Sequence, residues 1–216
     1  AIPGPALIAA EMTMMQDLNL LAVAGLVACW GAVALAWLAG AIYYESQAPA
    51  EQTRKAYASP VWITTLVVVA AAAAVPRADW RSLTFYAPPV RILGLAILLA
   101  ATALTIWARL TLGAMWSAAP AVKQEHTLRT GGPYAVTRHP IYTGLLGMML
   151  GSLLLAGAGR WIVAFPVYLA VLEFKIRIEE RLMAAEFPDD YPRYRRRVPQ
   201  LVPGLRLAGE RTLASS

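Results

Sequence analysis

The side chains best placed for chemistry lie in a polar, turn-rich stretch from Gly132 to Gly144, which holds His139, one of only two histidines. Arg138, His139 and Pro140 come directly before an apolar segment. Proline suits the first turn of a helix, and the free backbone N–H groups of a helix start attract anions. The pattern predicts a binding site at the mouth of a membrane helix. By residue type alone, His139 could equally satisfy the helix terminus, and Arg138 could be a snorkelling interfacial arginine.

A second pair of ionisable residues, Lys175 and Glu179, falls one helical turn apart on the same predicted helical face. Ionisable groups at membrane depth are costly unless they face a cavity or a partner, so they are candidates for function. The alternative is an ordinary ion pair on a helix that has already left the membrane, worth a few tenths of a kcal/mol. Residue types alone leave both interpretations open.

The composition is that of a membrane protein, with 58% hydrophobic and 15% charged residues among 216. The single cysteine, Cys29, lies in an apolar run, which excludes a disulfide framework and a thiolate metal cluster, and we predict no metal site. A net charge of +6 on such a chain indicates membrane topology and anionic lipid headgroups at the basic C-terminal tail rather than nucleic acid.

Hydropathy predicts an all-α integral membrane protein with about five transmembrane helices. The predicted apolar spans are Leu18 to Tyr44, Pro60 to Val75, Ile92 to Ala108, Ile141 to Ala158, and a last helix that starts at Trp161. We divide the chain into a tail (1–17), three N-terminal spans (18–108), a C-terminal core (109–203) and a second tail (204–216). Arg91 and Arg109 bracket the third span and are predicted to snorkel to opposite interfaces.

The last helix is unusual because only about twelve apolar residues precede Glu173, too few to cross a bilayer. It must continue to about Met183, either leaving the membrane or lining a watered cavity. Beyond it, Tyr191, Tyr194 and Val198 recur at helical spacing and are predicted to pack on the preceding elements. Most lysines and arginines fall on the side of the motif loop and the C-terminal tail, which predicts a cytoplasmic location for both in a bacterial inner membrane.

Several short motifs resemble those of the isoprenylcysteine carboxyl methyltransferase family and its bacterial relatives. Their order from Arg109 to Pro203 is more specific than any one of them. In chain order they are Leu112-Gly113, Trp116-Ser117, His126-Thr127-Leu128, Gly132-Pro133-Tyr134, the Arg138 to Gly144 segment, Glu179-Glu180, and Phe187 to Tyr191 with Tyr194 and Val198-Pro199.

The resemblance implies an integral membrane enzyme that takes a methyl group from S-adenosylmethionine, bound in a cytoplasmic pocket formed by the C-terminal half. Lys175 and Glu179 are the implied catalytic residues. Lys175 stands where eukaryotic members have an arginine near the methyl acceptor, and lysine lacks the bidentate fork of arginine. The implied cofactor-binding residues are His126, Thr127, Leu128, Arg129, Tyr134, His139, Pro140, Ile141, Tyr142 and Glu179.

The resemblance also implies a lipid-linked acceptor that enters from the bilayer, with the carboxylate of a prenylcysteine-like molecule favoured. Phospholipid amine N-methyltransferases share the same short motif, so an amine acceptor is the nearest alternative. Membrane sterol and steroid reductases that use NADPH carry a similar segment, but they usually have an acidic residue where this chain has Leu145. The remaining alternative is a non-catalytic membrane protein whose basic tail holds anionic lipid.

Overall fold

The computed structural model describes residues 4–45, 51–53, 83–113, 122–123, 128–159 and 161–204. Within these residues the structure is mostly helical, as predicted, and the only extended elements described are two very short strands. A short antiparallel ladder joins β1 (Glu51–Thr53) to β2 (Val122–Lys123). The helices are α1 (Pro5–Glu45), α2 (Pro88–Leu112), a 3-10 turn (Gly132–Ala135), α3 (Pro140–Ala156), α4 (Trp161–Glu186) and α5 (Asp190–Arg197).

Two of the described helices, over Pro5–Tyr43 and Pro88–Leu112, are long and apolar enough to cross a membrane. They contain the first and third predicted spans. The first helix begins at Pro5 rather than at Leu18, because the residues between them are mostly good helix formers and include no breaker. The second predicted span, Pro60 to Val75, lies outside the described residues, so the total of five spans stays a prediction.

Helices α2 and α3 pack with their backbones in close contact, and glycines make this possible. A Cβ added at Gly151 would lie 2.6 Å from the backbone nitrogen of Leu98 and 2.7 Å from the carbonyl oxygen of Gly94. Small residues allow this approach between helices in membranes. Leu98 and Met148 are fully buried beside the contact. The two helices therefore form a tight pair that carries the start of α3.

Arg91 is buried and does not snorkel, so that prediction is wrong. Its guanidinium group donates to the carbonyl oxygens of Leu155 (3.2 Å) and Leu18 (3.1 Å) and to Oδ1 of Asn19 (2.9 Å). Leu155 lies in the last turn of α3, where carbonyl groups lack helical partners. The arginine therefore caps α3 and ties its end to α1.

Arg109 is also buried, with 2% of its surface exposed, so its predicted snorkelling is wrong as well. It donates to the carbonyl oxygen of Gly113 at 3.0 Å, and its guanidinium carbon lies 5.9 Å from the ring centroid of Trp37. A Cβ on Gly40 would collide with its guanidinium group. Glycine at that position gives this end of α2 room to pack against α1.

The C-terminal elements follow the sequence pattern closely. A tight turn after α3 uses the left-handed conformation at Gly157 (φ 87°) and Ala158 (φ 63°). Helix α4 then continues past Glu173 to Glu186, which confirms the predicted extension. Tyr191, Tyr194 and Val198 form the predicted buried cluster, which packs against Leu128, Met183, Ala184 and Phe187.

The α2–α3 contact generates the first prediction. We expect Gly151→Ala to force the two backbones apart and to lower the free energy of unfolding by about 1–3 kcal/mol, the range of overpacked sites. Gly31→Ala is the matched control, because a Cβ at that helical glycine meets nothing within 4 Å. Thermal unfolding in a mild detergent measures both. Equal stability of the two variants would contradict a close backbone contact.

Candidate functional site

Arg138 is the buried centre of the polar stretch that precedes α3. Its Nη2 and Nε atoms lie 2.8 and 2.9 Å from Oε1 of Glu180 in α4. Its Nη1 donates to the carbonyl oxygens of Val198 and Arg195, at the end of α5. Only 4% of the Arg138 surface is exposed, so the interpretation as a snorkelling interfacial arginine is wrong. The side chain instead joins α4, α5 and the start of α3.

His139 bridges two neighbouring carboxylates. It is the N-cap residue of α3. Its Nε2 lies 3.3 Å from Oε1 of Glu180, and its Nδ1 lies 3.8 Å from Oε2 of Glu179. Because a carboxylate accepts hydrogen bonds, the contact with Glu180 places a proton on Nε2. The His139 ring therefore lies between the two glutamates, and His139 is more than an isolated residue at a helix end.

Two further candidate side chains, those of Tyr142 and Lys175, lie around Glu179. The hydroxyl of Tyr142 donates to Oε1 of Glu179 at 2.5 Å, and Nζ of Lys175 lies 3.8 Å from the same oxygen. Nζ of Lys175 also lies 5.4 Å from the ring centroid of Tyr142, which stacks on His139 with centroids 5.7 Å apart. The Glu179 side chain keeps 24% of its surface exposed. The two clusters predicted separately are therefore one site.

Tyr134 forms the buried wall behind this site. Its carbonyl oxygen accepts a hydrogen bond from the hydroxyl of Tyr194 at 2.5 Å, and its ring packs with Ala108 and Ile141. Burial raises the pKa of the Tyr134 hydroxyl, and the nearby Tyr194 and Glu179 raise it further. The phenol is therefore neutral at physiological pH. Its ring offers an apolar surface, and its hydroxyl can take part in hydrogen bonds.

A stretch from Val198 to Leu201, here called the C-terminal strap, lies along the motif. The backbone N–H groups of Arg138 and His139 donate to the carbonyl oxygens of Pro199 and Gln200. The hydroxyls of Thr137 and Thr143 donate to those of Gln200 (2.7 Å) and Leu201 (2.6 Å). No sequence motif singled out this contact, because the strap contributes mainly backbone carbonyl groups.

The remaining predicted cofactor residues divide into three groups. Pro140 and Ile141 are buried in the first turn of α3, next to the site. Leu128 packs instead on the cluster of Tyr191, Tyr194 and Val198, and Arg129 is exposed. His126 and Thr127 lie outside the described residues, as does Trp116. The role of each in cofactor binding stays a prediction.

Glu180 is held as an anion. Burial by itself raises the pKa of its carboxyl group, but the hydrogen bond from His139 and the charge of Arg138 outweigh burial and lower the pKa from 4.5 to about 2. Nε of Arg195 adds a further contact at 3.5 Å. Glu180 therefore stays charged at any pH near neutrality and serves as a fixed support for His139.

The ion pair between Arg138 and Glu180 leads to a prediction about stability. Glu180→Gln removes the carboxylate charge that lies 2.8 Å from the buried Arg138 guanidinium group, so we expect a loss of about 3–5 kcal/mol in the free energy of unfolding near pH 7. Asp190→Asn is the control, because its ion pair with Arg193 is exposed and should contribute little. Denaturant unfolding in mild detergent measures both, and an equal loss in the two variants would contradict a structural role for Glu180.

The lowered pKa of Glu180 also predicts how the free energy of unfolding changes with pH. The folded pKa of Glu180 lies below its ordinary value, so its stabilisation is complete above about pH 5 and is lost as the pH falls toward 2. We expect the unfolding free energy of the unaltered protein to fall over this window, and that of Glu180→Gln to fall less steeply. Identical slopes would show that another group carries the acid sensitivity.

Comparison with known proteins supports the resemblance seen in the motifs. A sequence model of the isoprenylcysteine carboxyl methyltransferase (ICMT) family matches residues 93–185, which include His139, Tyr142, Lys175 and Glu179. The cobalt-zinc-cadmium resistance protein CzcN of Cupriavidus metallidurans is 32% identical over 158 residues, or 70% of this chain and 67% of that protein.

Two further relatives match a shorter region. Protein-S-isoprenylcysteine O-methyltransferase of Schizosaccharomyces pombe is 35% identical over 81 residues, and methanethiol S-methyltransferase 2 of Bradyrhizobium diazoefficiens is 39% identical over 80 residues. Each match covers 37% of this chain and about a third of the relative, at 34% and 30%. Their full activities therefore do not transfer directly.

A solved structure of the eukaryotic intramembrane Ras methyltransferase ICMT also matches, with 23% identity and a TM-score of 0.47 over 68% of this chain and 50% of that one. The family model and the long match to CzcN confirm the predicted family, and two of the relatives are methyltransferases by name. The chain belongs to the isoprenylcysteine carboxyl methyltransferase (ICMT) family of membrane methyltransferases.

Proposed function

We propose that this protein transfers a methyl group from S-adenosylmethionine to a lipid-linked acceptor that reaches the site from the bilayer, with a prenylcysteine-like carboxylate as the favoured acceptor. One observation carries the proposal: Tyr142, Lys175 and His139 all lie around the carboxylate of Glu179, which remains partly exposed. The name of the fission yeast relative supports a prenylcysteine-type acceptor.

The residues present fit the proposed cofactor. S-adenosylmethionine supplies an electrophilic methyl group on a positively charged sulfonium. Cations are attracted to aromatic faces and to carboxylates, and Tyr142 and Glu179 offer both within one hydrogen-bonded pair. We assign Tyr134, His139, Pro140 and Ile141 to the wall of this pocket. On the family resemblance we also assign a role in cofactor binding to His126, Thr127, Leu128 and Arg129. Tyr142 orients the Glu179 carboxylate by donating a hydrogen bond to it from the phenolic hydroxyl.

A carboxylate acceptor suits the groups at this site. Such an acceptor is already ionised at neutral pH, so transfer needs alignment and exclusion of water more than a base. Held beside Tyr142 and Glu179, the cofactor would supply the methyl group to a carboxylate oxygen of this acceptor, and the electron pair of the broken carbon–sulfur bond would leave on sulfur. Lys175 is the cation that we assign to the acceptor carboxylate. Its contact with Glu179 restrains a flexible side chain.

An amine acceptor would place a different demand on the same residues. The amine must lose a proton before it attacks, so a side chain has to act as a base. Glu180 is unsuited to this role, because Arg138 and His139 hold its pKa at about 2. Glu179 would then be the base. Phospholipid amine methylation therefore stays the alternative, to be separated by the chemistry of the product.

We further infer that the motif, the C-terminal strap and α5 face the cytoplasm. Basic side chains concentrate on this side of the predicted spans, and the positive-inside rule assigns such segments to the cytoplasm. A cytoplasmic site also has direct access to S-adenosylmethionine, which is made inside cells.

The acceptor class can be tested directly. The purified protein is incubated with S-adenosylmethionine labelled in its methyl group, together with a prenylcysteine analogue or total membrane lipid. We expect label in the prenylcysteine product, and its release by mild base, because methyl esters hydrolyse and methylamines do not. A base-stable product from membrane lipid would favour the amine acceptor. NADPH binding without any response to S-adenosylhomocysteine would contradict methyl transfer.

The role of Glu179 can be tested with a matched control. We expect Glu179→Gln to lower kcat/KM about 100-fold, in the range for loss of a preorganised charged group, and Tyr142→Phe to lower it by a smaller factor. Glu186→Gln is the control, because Glu186 lies at the far end of the same helix and its side chain is exposed. Equal activity of the two Gln variants, both folded, would exclude Glu179 from the site.

A further inference from the structure

Helix α5 has two chemically distinct faces. Tyr191, Tyr194 and Val198 are buried on one of them. On the opposite side Arg193, Arg196 and Arg197 are exposed, spaced three and four residues apart. These three residues are called the arginine face below. Their positions follow from packing, because the buried stripe dictates which side of the helix must point outward.

Hydrogen bonds hold this helix beside the start of α3. Arg138, two residues before α3 begins, donates to the carbonyl oxygens of Arg195 and Val198. The hydroxyl of Tyr194 donates to the carbonyl oxygen of Tyr134, in the 3-10 turn just ahead of the motif. The position of α5 is therefore coupled to the end of an apolar helix.

The start of an apolar helix in a membrane protein lies near the bilayer surface, because polar backbone ends and charged side chains avoid the hydrocarbon. The coupling to Arg138 therefore places α5 at the depth of the lipid headgroups.

We propose that the arginine face binds the headgroups of anionic phospholipids in the membrane that holds this protein. Guanidinium groups match phosphate geometry with paired hydrogen bonds. Asp190 is an acidic neighbour of this face: its Oδ1 lies 3.8 Å from Nη2 of Arg193, and its side chain is 70% exposed. The proposal concerns attachment to lipid and does not depend on which molecule accepts the methyl group.

The test uses the full chain in a neutral detergent, with phosphatidylglycerol or phosphatidylcholine added at equal mole fraction. Native mass spectrometry measures the retained lipid, and thermal unfolding measures the shift in Tm. The altered protein is Arg193→Gln with Arg197→Gln. Its matched control is Arg177→Gln with Arg181→Gln, an exposed pair with the same spacing on α4, in which Arg177 also has an acidic partner, Glu173.

We expect the unaltered protein to retain phosphatidylglycerol in preference to phosphatidylcholine. The α5 variant should bind it about 30-fold more weakly, from roughly 1 kcal/mol for each arginine near an anionic surface. The control should keep its affinity, and added salt should weaken binding in the unaltered protein. Equal retention of the two lipids, an equal loss in both variants, or competition by free inorganic phosphate at millimolar concentration would overturn the proposal.

Discussion

The buried ion pair between Arg138 and Glu180 is the interaction on which the C-terminal half depends. A guanidinium group with 4% exposure is tolerated only when its donors and its charge are matched. Glu180 supplies the charge, and the carbonyl oxygens of Arg195 and Val198 take further donors. The same arginine therefore binds α4, α5 and the strap to the start of α3. Groups 42 to 60 residues away from Arg138 in sequence meet around it because one buried cation must be satisfied.

The adjacent residues Glu179 and Glu180 differ in their partners and in their exposure. Glu180 faces Arg138 and His139, and its pKa of about 2 makes it a permanent anion. Glu179 accepts from Tyr142, lies near Lys175 and keeps more of its side chain exposed. Two carboxylates in contrasting environments are a common way to divide support from chemistry. In this protein the supporting carboxylate fixes the His139 ring, and the ring in turn lies against the exposed one.

A rigid frame holds the site in place from the other side. The glycines Gly94 and Gly151 bring α2 and α3 into backbone contact, and Arg91 ties the far end of α3 to α1. Arg109 fills the space between α2 and Gly40 of α1. Each buried arginine is matched by carbonyl groups near a helix end, where the backbone has no partners of its own. Carbonyl groups at helix ends and buried guanidinium groups therefore supply hydrogen-bond partners to each other.

The sequence alone was enough to predict the apolar spans around α2 and α3, the extension of α4 past Glu173 and the buried stripe of α5, because each follows from periodicity or length within one segment. It also indicated the family, and the structure brings together four of the residues that the sequence proposed for the site: His139, Tyr142, Lys175 and Glu179. It could not predict that Arg91, Arg109 and Arg138 turn inward, or that Glu180 rather than water receives Arg138. Those choices depend on carbonyl groups and carboxylates supplied by distant segments, and backbone carbonyls leave no signature in residue type. The tertiary structure decided them, because only packing determines which buried charge finds a partner.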